Sequence, residues 1–161
     1  MATVSFIPES HQSISAMKAV IDCCLQQKKV ADVDSGRRLV SGVNCNGENA
    51  FTEFMATKTA LHKKDGMNFY HYVQSFSPSE SVTAEQVHEI GLAFAKIAWP
   101  GHEVLVTTHT DVAHLHNHFV INSVHYENGS KLRQSPRHTD KAARTQRRHL
   151  SAVRAERSRT V

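Results

Sequence analysis

The stretch HTDVAHLHNHFVIN, residues 109–122, contains four of the twelve histidines of the chain. On a β-strand, side chains at positions i and i+2 point to the same face, so His116 and His118 would lie side by side at the start of the apolar run that follows them. The preceding run VLVTT, residues 104–108, predicts a second strand that ends at His109. We therefore predict a hairpin that brings these three imidazoles together.

Three neutral imidazoles that converge from paired strands can bind a divalent cation and leave coordination positions open, as a catalytic metal site requires. The alternative is a surface hairpin that contains several histidines without binding a metal. His114 lies in the predicted turn and is not expected to be a ligand. Asp111 is either a carboxylate that orients an imidazole or a turn residue. The sequence thus predicts a metal site at His109, His116 and His118.

This histidine stretch resembles the third motif of the mobilisation relaxases, in the MobA-like branch of the single-strand DNA endonucleases named for a His-hydrophobe-His signature. Two other segments resemble motifs of the same family: LVSGVNC at residues 39–45 and FYHYVQSFSP at residues 69–78. Their order and spacing also match the family. The resemblance extends over residues 1–135 and implies a DNA relaxase domain of plasmid or conjugative-element mobilisation.

The resemblance implies a reaction in which a tyrosine hydroxyl attacks a phosphodiester at a transfer origin, while a Mg²⁺ or Mn²⁺ ion offsets the charge on the phosphate. At the position of that tyrosine on the first helix, this chain has Cys23. A thiolate is a good nucleophile for carbonyls and disulfides, but it is a poor substitute in phosphodiester cleavage. Asp111 and Asn122, both in the third motif, are the other candidate catalytic residues. We therefore expect nicking to be impaired or lost.

The family implies single-stranded DNA as the partner, with accessory mobilisation proteins as further candidates. A catalytically inactive module of the same fold would still bind metal and single-stranded DNA, using Tyr70 and Tyr72 as stacking platforms with Gln74 beside them. The alternative for these aromatics is a strand whose residues alternate between core and surface. A metalloenzyme acting on small molecules is a third hypothesis, disfavoured because the sequence has no recognisable extra carboxylate ligand or phosphate-binding glycine loop.

Charge is distributed unevenly along the chain. Residues 137–161 contain eight Lys and Arg residues against two acidic residues, a net charge of +6, whereas residues 1–136 have a net charge of −2, which together give the +4 of the whole chain. We expect residues 1–136 to form the nuclease domain. We expect residues 137–161 to be a basic tail that is disordered or foreign to the family, as a frameshift in a longer gene would produce. The alternative is a native tail that binds DNA phosphates.

The order of predicted elements indicates the fold class. Helices are predicted after Ser13 or Ser15 and from Asn49, and Thr83 with Gln86 forms a capping-box pattern ahead of a third helix. Strands and helices are mixed, and the last two strands are adjacent in sequence. This arrangement favours an α+β fold with a central, mostly antiparallel sheet, flanking helices and the metal site on the central strands.

Length and composition set further bounds. The 161 residues, 40% of them hydrophobic, fit one domain with one core. Three cysteines, two of them adjacent, do not suggest a disulfide framework, and a reducing cytoplasm fits best. No apolar stretch is long enough to span a membrane, and the N-terminus lacks the pattern of a signal peptide. We expect a cytoplasmic protein that does not insert into membranes.

Overall fold

Five strands form one sheet: β1 (Thr3–Ile7), β2 (Val40–Val43), β3 (Phe69–Ser75), β4 (His102–His109) and β5 (His116–His125). Their order is β1-β3-β5-β4-β2, and every neighbouring pair is antiparallel. The computed structural model describes residues 2–133 and 136–159. The central strand is β5, and its neighbour β4 is the other strand of the predicted histidine hairpin. The α+β fold with a central antiparallel sheet and flanking helices is therefore confirmed.

Three of the helices begin where the sequence predicts them, the first at the earlier of its two candidate caps. The Ser13 side chain caps the first helix by accepting a hydrogen bond from the Ala16 amide, and Thr83 and Gln86 form the expected capping box. A four-residue helix that follows the first one was not predicted, because so short a segment shows no helical periodicity. The helices are α1 (Ile14–Cys24), α2 (Gln27–Val30), α3 (Ala50–Ala60), α4 (Ala84–Ala98) and α5 (Pro136–Arg159).

Strand register decides which side chains share a face of the sheet. In the β4–β5 hairpin, His109 is opposite His116, and Thr107 is opposite His118. Directly paired residues point to the same side, so all three histidines lie on one face, which α1 and α3 cover. The core beneath these two helices consists of Met17, Ile21, Cys24, Ala50, Phe54, Phe69, Leu105 and Val120.

Helices α4 and α5 cover the opposite face of the sheet, which is rich in aromatic residues. Phe94 on α4 contacts Trp99 and Phe119, with ring centroids 5.6 and 5.5 Å away. The buried cluster on this face consists of Val43, Tyr70, Tyr72, Phe94, Ala95, Trp99, Val104, Val106, Phe119, Ile121 and Ala142. The sheet therefore separates an aromatic core from the face that carries the histidines.

Asn117 fixes the position of the central strands from this second face. Its side chain is fully buried and donates to Gln74 Oε1 and to the Val87 carbonyl, each at 2.8 Å. The Thr108 hydroxyl donates to Asn117 Oδ1 at 2.5 Å. These bonds join β3, β4, β5 and α4 next to the histidines, and a buried polar side chain that makes all its hydrogen bonds holds its neighbours in one arrangement.

The C-terminal segment differs from the expectation of a disordered tail. Residues Pro136–Arg159 form α5, which contacts α4 and β1, while residues 160 and 161 lie outside the described part of the chain. Ala142, Gln146 and Leu150 recur every four residues and so lie on one side of the helix. Ala142 and Gln146 are buried, and Leu150 packs against an apolar cluster at the start of α4. So narrow an apolar stripe in a strongly charged segment gave little indication of a packed helix.

The state of the cysteines and the character of the helices bear on the predictions about redox compartment and membranes. The three cysteines are all unpaired thiols: Cys23 is exposed, Cys24 is buried, and Cys45 is partly buried. Among residues 2–133 and 136–159, no helix combines the length and the apolar character that crossing a membrane would require.

Candidate metal centre

His109, His116 and His118 converge at one end of the β4–β5 hairpin, and we call them the histidine triad. The ring centroids are 4.2 Å apart for His109 and His118, 5.2 Å for His109 and His116, and 5.0 Å for His116 and His118. One ligand atom from each residue lies within 4.8 Å of the other two. The hairpin thus places three imidazoles close enough to share one ion.

Hydrogen bonds to backbone carbonyls fix which ring nitrogens carry protons. A carbonyl oxygen only accepts, so His116 Nδ1 donates to the His114 carbonyl at 3.1 Å. His109 Nε2 likewise donates to the Cys24 carbonyl at 3.1 Å. His116 Nε2 and His109 Nδ1 therefore keep their lone pairs. Partners of this kind are the usual means by which a protein orients metal-binding imidazoles.

A chain of hydrogen bonds leads from Glu9 through His71 to His118. Glu9 Oε1 lies 2.8 Å from His71 Nδ1, and His71 Nε2 lies 2.8 Å from His118 Nδ1. A carboxylate accepts from His71 Nδ1, so His71 Nε2 accepts in turn from His118 Nδ1. His118 Nε2 is left with the lone pair, which gives each triad imidazole one nitrogen free to bind a metal.

Burial keeps these imidazoles neutral. It lowers the pKa of His109 to about 4 and that of His118 to about 2, with neighbouring histidines lowering both further. The pKa of His116 is lowered too, mainly by burial. A histidine binds metal only in its neutral form, so all three are in the binding form at neutral pH.

The triad opens into a cavity of about 350 Å³ that also contains Cys23. Cys23 is the penultimate residue of α1, and its exposed thiol accepts a hydrogen bond from Lys29 Nζ at 3.1 Å. That bond raises the pKa of Lys29. Burial raises the pKa of the neighbouring Cys24 thiol to about 12. The lining residues are Glu9, Val20, Cys23, Cys24, Lys29, His71, His109, Asp111, Val112, His116 and His118.

Three residues expected to bind DNA lie elsewhere. Tyr70, Tyr72 and Gln74 point to the face covered by α4 and α5, and their exposed fractions are 5%, 1% and 0%. A side chain that stacks on a base needs an open ring face, so the prediction that Tyr70 and Tyr72 are stacking platforms is wrong. The two-residue alternation correctly groups these three side chains, but it cannot say which face of the sheet they share.

Asn122 also lies outside the cavity. It is on the same face as the histidines but four residues beyond His118, roughly 13 Å along the strand. Its fully buried amide donates to Glu103 Oε2 at 2.8 Å and to the Phe54 carbonyl at 3.4 Å. Asn122 therefore connects β5 to β4 and α3, and its predicted catalytic role has no support in this geometry. Asp111, by contrast, is exposed and lines the cavity.

Four residues of the site were missed by sequence reasoning: Glu9, Cys24, Lys29 and His71. His71 stands opposite Val120 in the β3–β5 register, which places it on the same face as His118. Only the alternation within the FYHYVQS segment hinted at this, and it gives no pairing partner. Glu9 follows β1 in a loop, so nothing in the local sequence connects it to the histidines.

An antiparallel sheet with three imidazoles that converge on an open cavity is an arrangement that could hold a metal ion. The family model described as "Relaxase: MobA/VirD2-like, nuclease domain" matches residues 6–152. The chain therefore belongs to the MobA/VirD2-like relaxases, and the resemblance of its motifs to that family is confirmed. The match extends beyond residue 136 and includes the first two thirds of α5.

Two kinds of curated relatives are similar to this chain. Protein rlx of Staphylococcus aureus is 43% identical over 100 residues, which cover 62% of this chain and 31% of that protein. The group II intron-interrupted relaxase LtrB of Lactococcus lactis subsp. cremoris is 32% identical over 127 residues, covering 63% of this chain and 23% of that protein. The chain thus spans less than a third of the length of these relatives. Comparison with solved structures gave no significant match.

The donor set fits the divalent ion that the family implies. The triad offers three neutral nitrogen ligands, and the Asp111 carboxylate lies on the wall of the same cavity. Imidazole nitrogens suit Zn²⁺, Ni²⁺ and Mn²⁺ better than Mg²⁺, which prefers oxygen ligands. Three protein ligands in an open cavity leave coordination positions for a substrate oxygen, as in catalytic rather than structural metal sites.

Proposed function

We propose that this domain binds single-stranded DNA at a transfer origin in the cytoplasm and has the architecture for nicking one strand by metal-assisted transesterification, an activity that Cys23 at the nucleophile position impairs. The single observation that supports this most is the cavity shared by the histidine triad and Cys23 Sγ. The residue at the position of the family's nucleophile thus lines the same cavity as the residues that would hold the ion.

Each side chain has a separate task in this proposal. His109, His116 and His118 hold a divalent ion, which when bound polarises the phosphate and offsets the charge on its oxygens. The Lys29 ammonium, hydrogen-bonded to Cys23, adds positive charge on the cavity wall beside the nucleophile position. In transesterification the nucleophile forms a bond to phosphorus, and the bond to the 3′-oxygen of the preceding nucleotide breaks.

The nature of the nucleophile favours a second candidate function, a module that binds metal and single-stranded DNA without cutting. A tyrosine phenolate would form an aryl phosphate ester, whereas the Cys23 thiolate would form a phosphorothiolate, a poor substitute. The exposed arginines of α5 add positive charge that residues 1–136 lack as a whole, and phosphate contacts of this kind are independent of base sequence. Those arginines include Arg144, Arg147, Arg148 and Arg154.

The two candidates differ in whether a covalent adduct forms. The full chain and a Cys23→Tyr variant are incubated with a single-stranded transfer-origin oligonucleotide and Mn²⁺, and adducts are resolved on a denaturing gel. We expect little or no adduct from the natural chain and a metal-dependent adduct from Cys23→Tyr. The matched control is Cys23→Tyr combined with His118→Ala, which should form none.

Two results would contradict this assignment. An efficient adduct of the natural chain, mapped by mass spectrometry to Tyr70, Tyr72 or Tyr126, would show that position 23 is not the nucleophile position. An efficient adduct on Cys23 itself would show that the thiol cleaves DNA and that the domain is not degenerate. Binding of the oligonucleotide without any adduct from Cys23→Tyr would favour the non-cutting module.

A further inference from the structure

A second group of potential ligands lies beside the histidine triad. Cys24 Sγ and one ring nitrogen each from His71 and His118 all lie within 4.8 Å of one another. Cys24 and His71 are buried, yet all three side chains line the cavity, so an ion can reach them. His71 Nε2 and His118 Nδ1 are already 2.8 Å apart. Ligands about 2.1 Å from a tetrahedral ion lie roughly 3.4 Å apart, so these nitrogens need to separate only slightly.

We propose that Cys24, His71 and His118 form a soft-metal site that binds Zn²⁺ or Cd²⁺ and, when occupied, prevents metal binding at the histidine triad. Sulfur distinguishes the two sets of ligands. Thiolate ligands select soft ions, whereas Mg²⁺ and Mn²⁺ prefer oxygen and nitrogen donors. The same cavity would therefore hold different ions at two overlapping positions.

Glu9 strengthens the soft-metal site. Its carboxylate accepts from His71 Nδ1 at 2.8 Å, and only 25% of its side chain is exposed. A metal-binding imidazole that donates its other N–H to a carboxylate is held in one orientation and is a better ligand. The hydrogen bond leaves His71 Nε2 with the lone pair, directed towards His118.

An ion in the soft-metal site prevents metal binding at the triad because the two sites use different nitrogens of His118. In the structure His118 Nδ1 donates to His71, so His118 Nε2 has the lone pair that completes the triad. An ion bound by Cys24 and His71 needs the lone pair of His118 Nδ1 instead. The Nδ1 proton then moves through solvent to Nε2, and the Cys24 thiol proton is released to water. Because His118 Nε2–H cannot bind an ion, the triad loses one of its three ligands.

The soft-metal site gives the nuclease domain a sensitivity to zinc-like ions that goes beyond the proposed function. The cavity accepts its working ion only while His71 and His118 stay hydrogen-bonded to each other. Sequence reasoning could not find this site, because Cys24 and His71 come from α1 and β3 and meet only through the packing of that helix on the sheet.

Cadmium bound to a thiolate gives an ultraviolet charge-transfer absorption, which makes Cd²⁺ the probe of choice. The full chain titrated with Cd²⁺ should develop this band up to one equivalent. Cys24→Ser should abolish it and weaken Cd²⁺ binding by at least the roughly 10- to 100-fold that loss of a ligand's hydrogen-bonding partner costs. Cys23→Ser and Cys45→Ser, which alter the other two thiols, should retain the band.

His71→Gln is the second variant, used if circular dichroism shows that Cys24→Ser has not folded, and it should also weaken Cd²⁺ binding. A band that survives Cys24→Ser would overturn the proposal, as would unchanged Cd²⁺ affinity in His71→Gln or a band that disappears in Cys23→Ser. Manganese provides the test of exclusion, because its unbound form is counted by electron paramagnetic resonance. The Cd²⁺-loaded chain should bind no Mn²⁺, and unchanged Mn²⁺ affinity would overturn the exclusion.

His109→Ala separates this proposal from the proposed function. It removes a residue of the triad and leaves the soft-metal site intact, so Mn²⁺ binding should be lost while the Cd²⁺ band remains. Loss of the band in His109→Ala would overturn the soft-metal site. A natural chain that shows the Cd²⁺ band but binds no Mn²⁺ would instead count against the triad alone.

Discussion

Two buried polar clusters lie on the same face of the sheet, and they differ in access to solvent. The histidine triad opens into a cavity, whereas the side chains of a second group are buried where α3 packs on the sheet. This group, here called the Lys58 cluster, consists of Lys58, Glu103, Asn122 and Ser123. Lys58 Nζ donates to the Asn68 carbonyl at 2.6 Å and to Ser123 Oγ at 3.2 Å. Both clusters shift pKa values by burial, so a perturbed pKa alone does not identify a functional site. Access to a cavity distinguishes them.

The largest expected effect concerns the open cluster. Replacing His116 and His118 together by Ala removes two of the three nitrogen ligands and should abolish Mn²⁺ binding measured by calorimetry. The matched control is Asn122→Ala in the Lys58 cluster, which should leave Mn²⁺ affinity unchanged. If the double variant bound Mn²⁺ as well as the natural chain does, the triad would not be the metal site.

Truncation after Pro136 tests how much α5 stabilises the fold on the aromatic face of the sheet, opposite the two polar clusters. Removing α5 exposes the apolar surface that Ala142 and Leu150 cover in the full chain. The melting temperature should therefore fall by about 5 °C or more. Because α5 packs against α4 and β1 and lines neither cluster, Mn²⁺ affinity should stay the same. Circular dichroism melts and calorimetry provide the two measurements.

The same truncation bears on the origin of the tail. A melting temperature within a degree or two of that of the full chain would mean that α5 adds no stabilising contacts. That result would favour the hypothesis that residues 137–161 are the product of a frameshift. The coding DNA for residues 137–161, read in the shifted frame, would then have to contain no stop codon.

In the Lys58 cluster, Asn122→Ala should destabilise the fold without affecting the metal site. The substitution leaves Glu103 Oε2 without its 2.8 Å donor in the interior. An unsatisfied buried acceptor of this kind should lower the free energy of unfolding by about 2–3 kcal/mol. Urea denaturation measures the change. A loss of Mn²⁺ affinity with unchanged stability would instead indicate that Asn122 belongs to the functional site.

The last expected effect is a pH dependence of stability that originates in Lys58. Burial lowers its pKa to about 7 from the ordinary lysine value of 10.5. The folded state therefore binds fewer protons than the unfolded state between these values, so the free energy of unfolding should rise with pH from 7 to 10.5 and stay low below pH 7. Lys58→Met should flatten this rise, which we expect to be about 2 kcal/mol or more. The exposed Lys64→Met is the control, and an equal rise in all three proteins would exclude Lys58 as its source.

The hairpin and its three histidines could be predicted because both depend on local alternation along two adjacent strands. His71 and Glu9 could not, because their distance from His118 depends on the β3–β5 register and on a loop. Tyr70 and Tyr72 illustrate a related limit: alternation groups residues by face but does not identify the covered face. Helix α5 was missed because Ala142 and Leu150 provide only a narrow apolar stripe among many charges.

The central claim is that His109, His116 and His118 bind the working metal ion of this relaxase domain. Anomalous diffraction from a crystal grown with Mn²⁺ tests it most directly. We predict one Mn²⁺ peak within about 2.3 Å of a nitrogen of each of the three histidines, on the cavity side towards Cys23. A peak bound by Cys24 and His71 instead, or no peak at the triad in a well-ordered crystal, would contradict it.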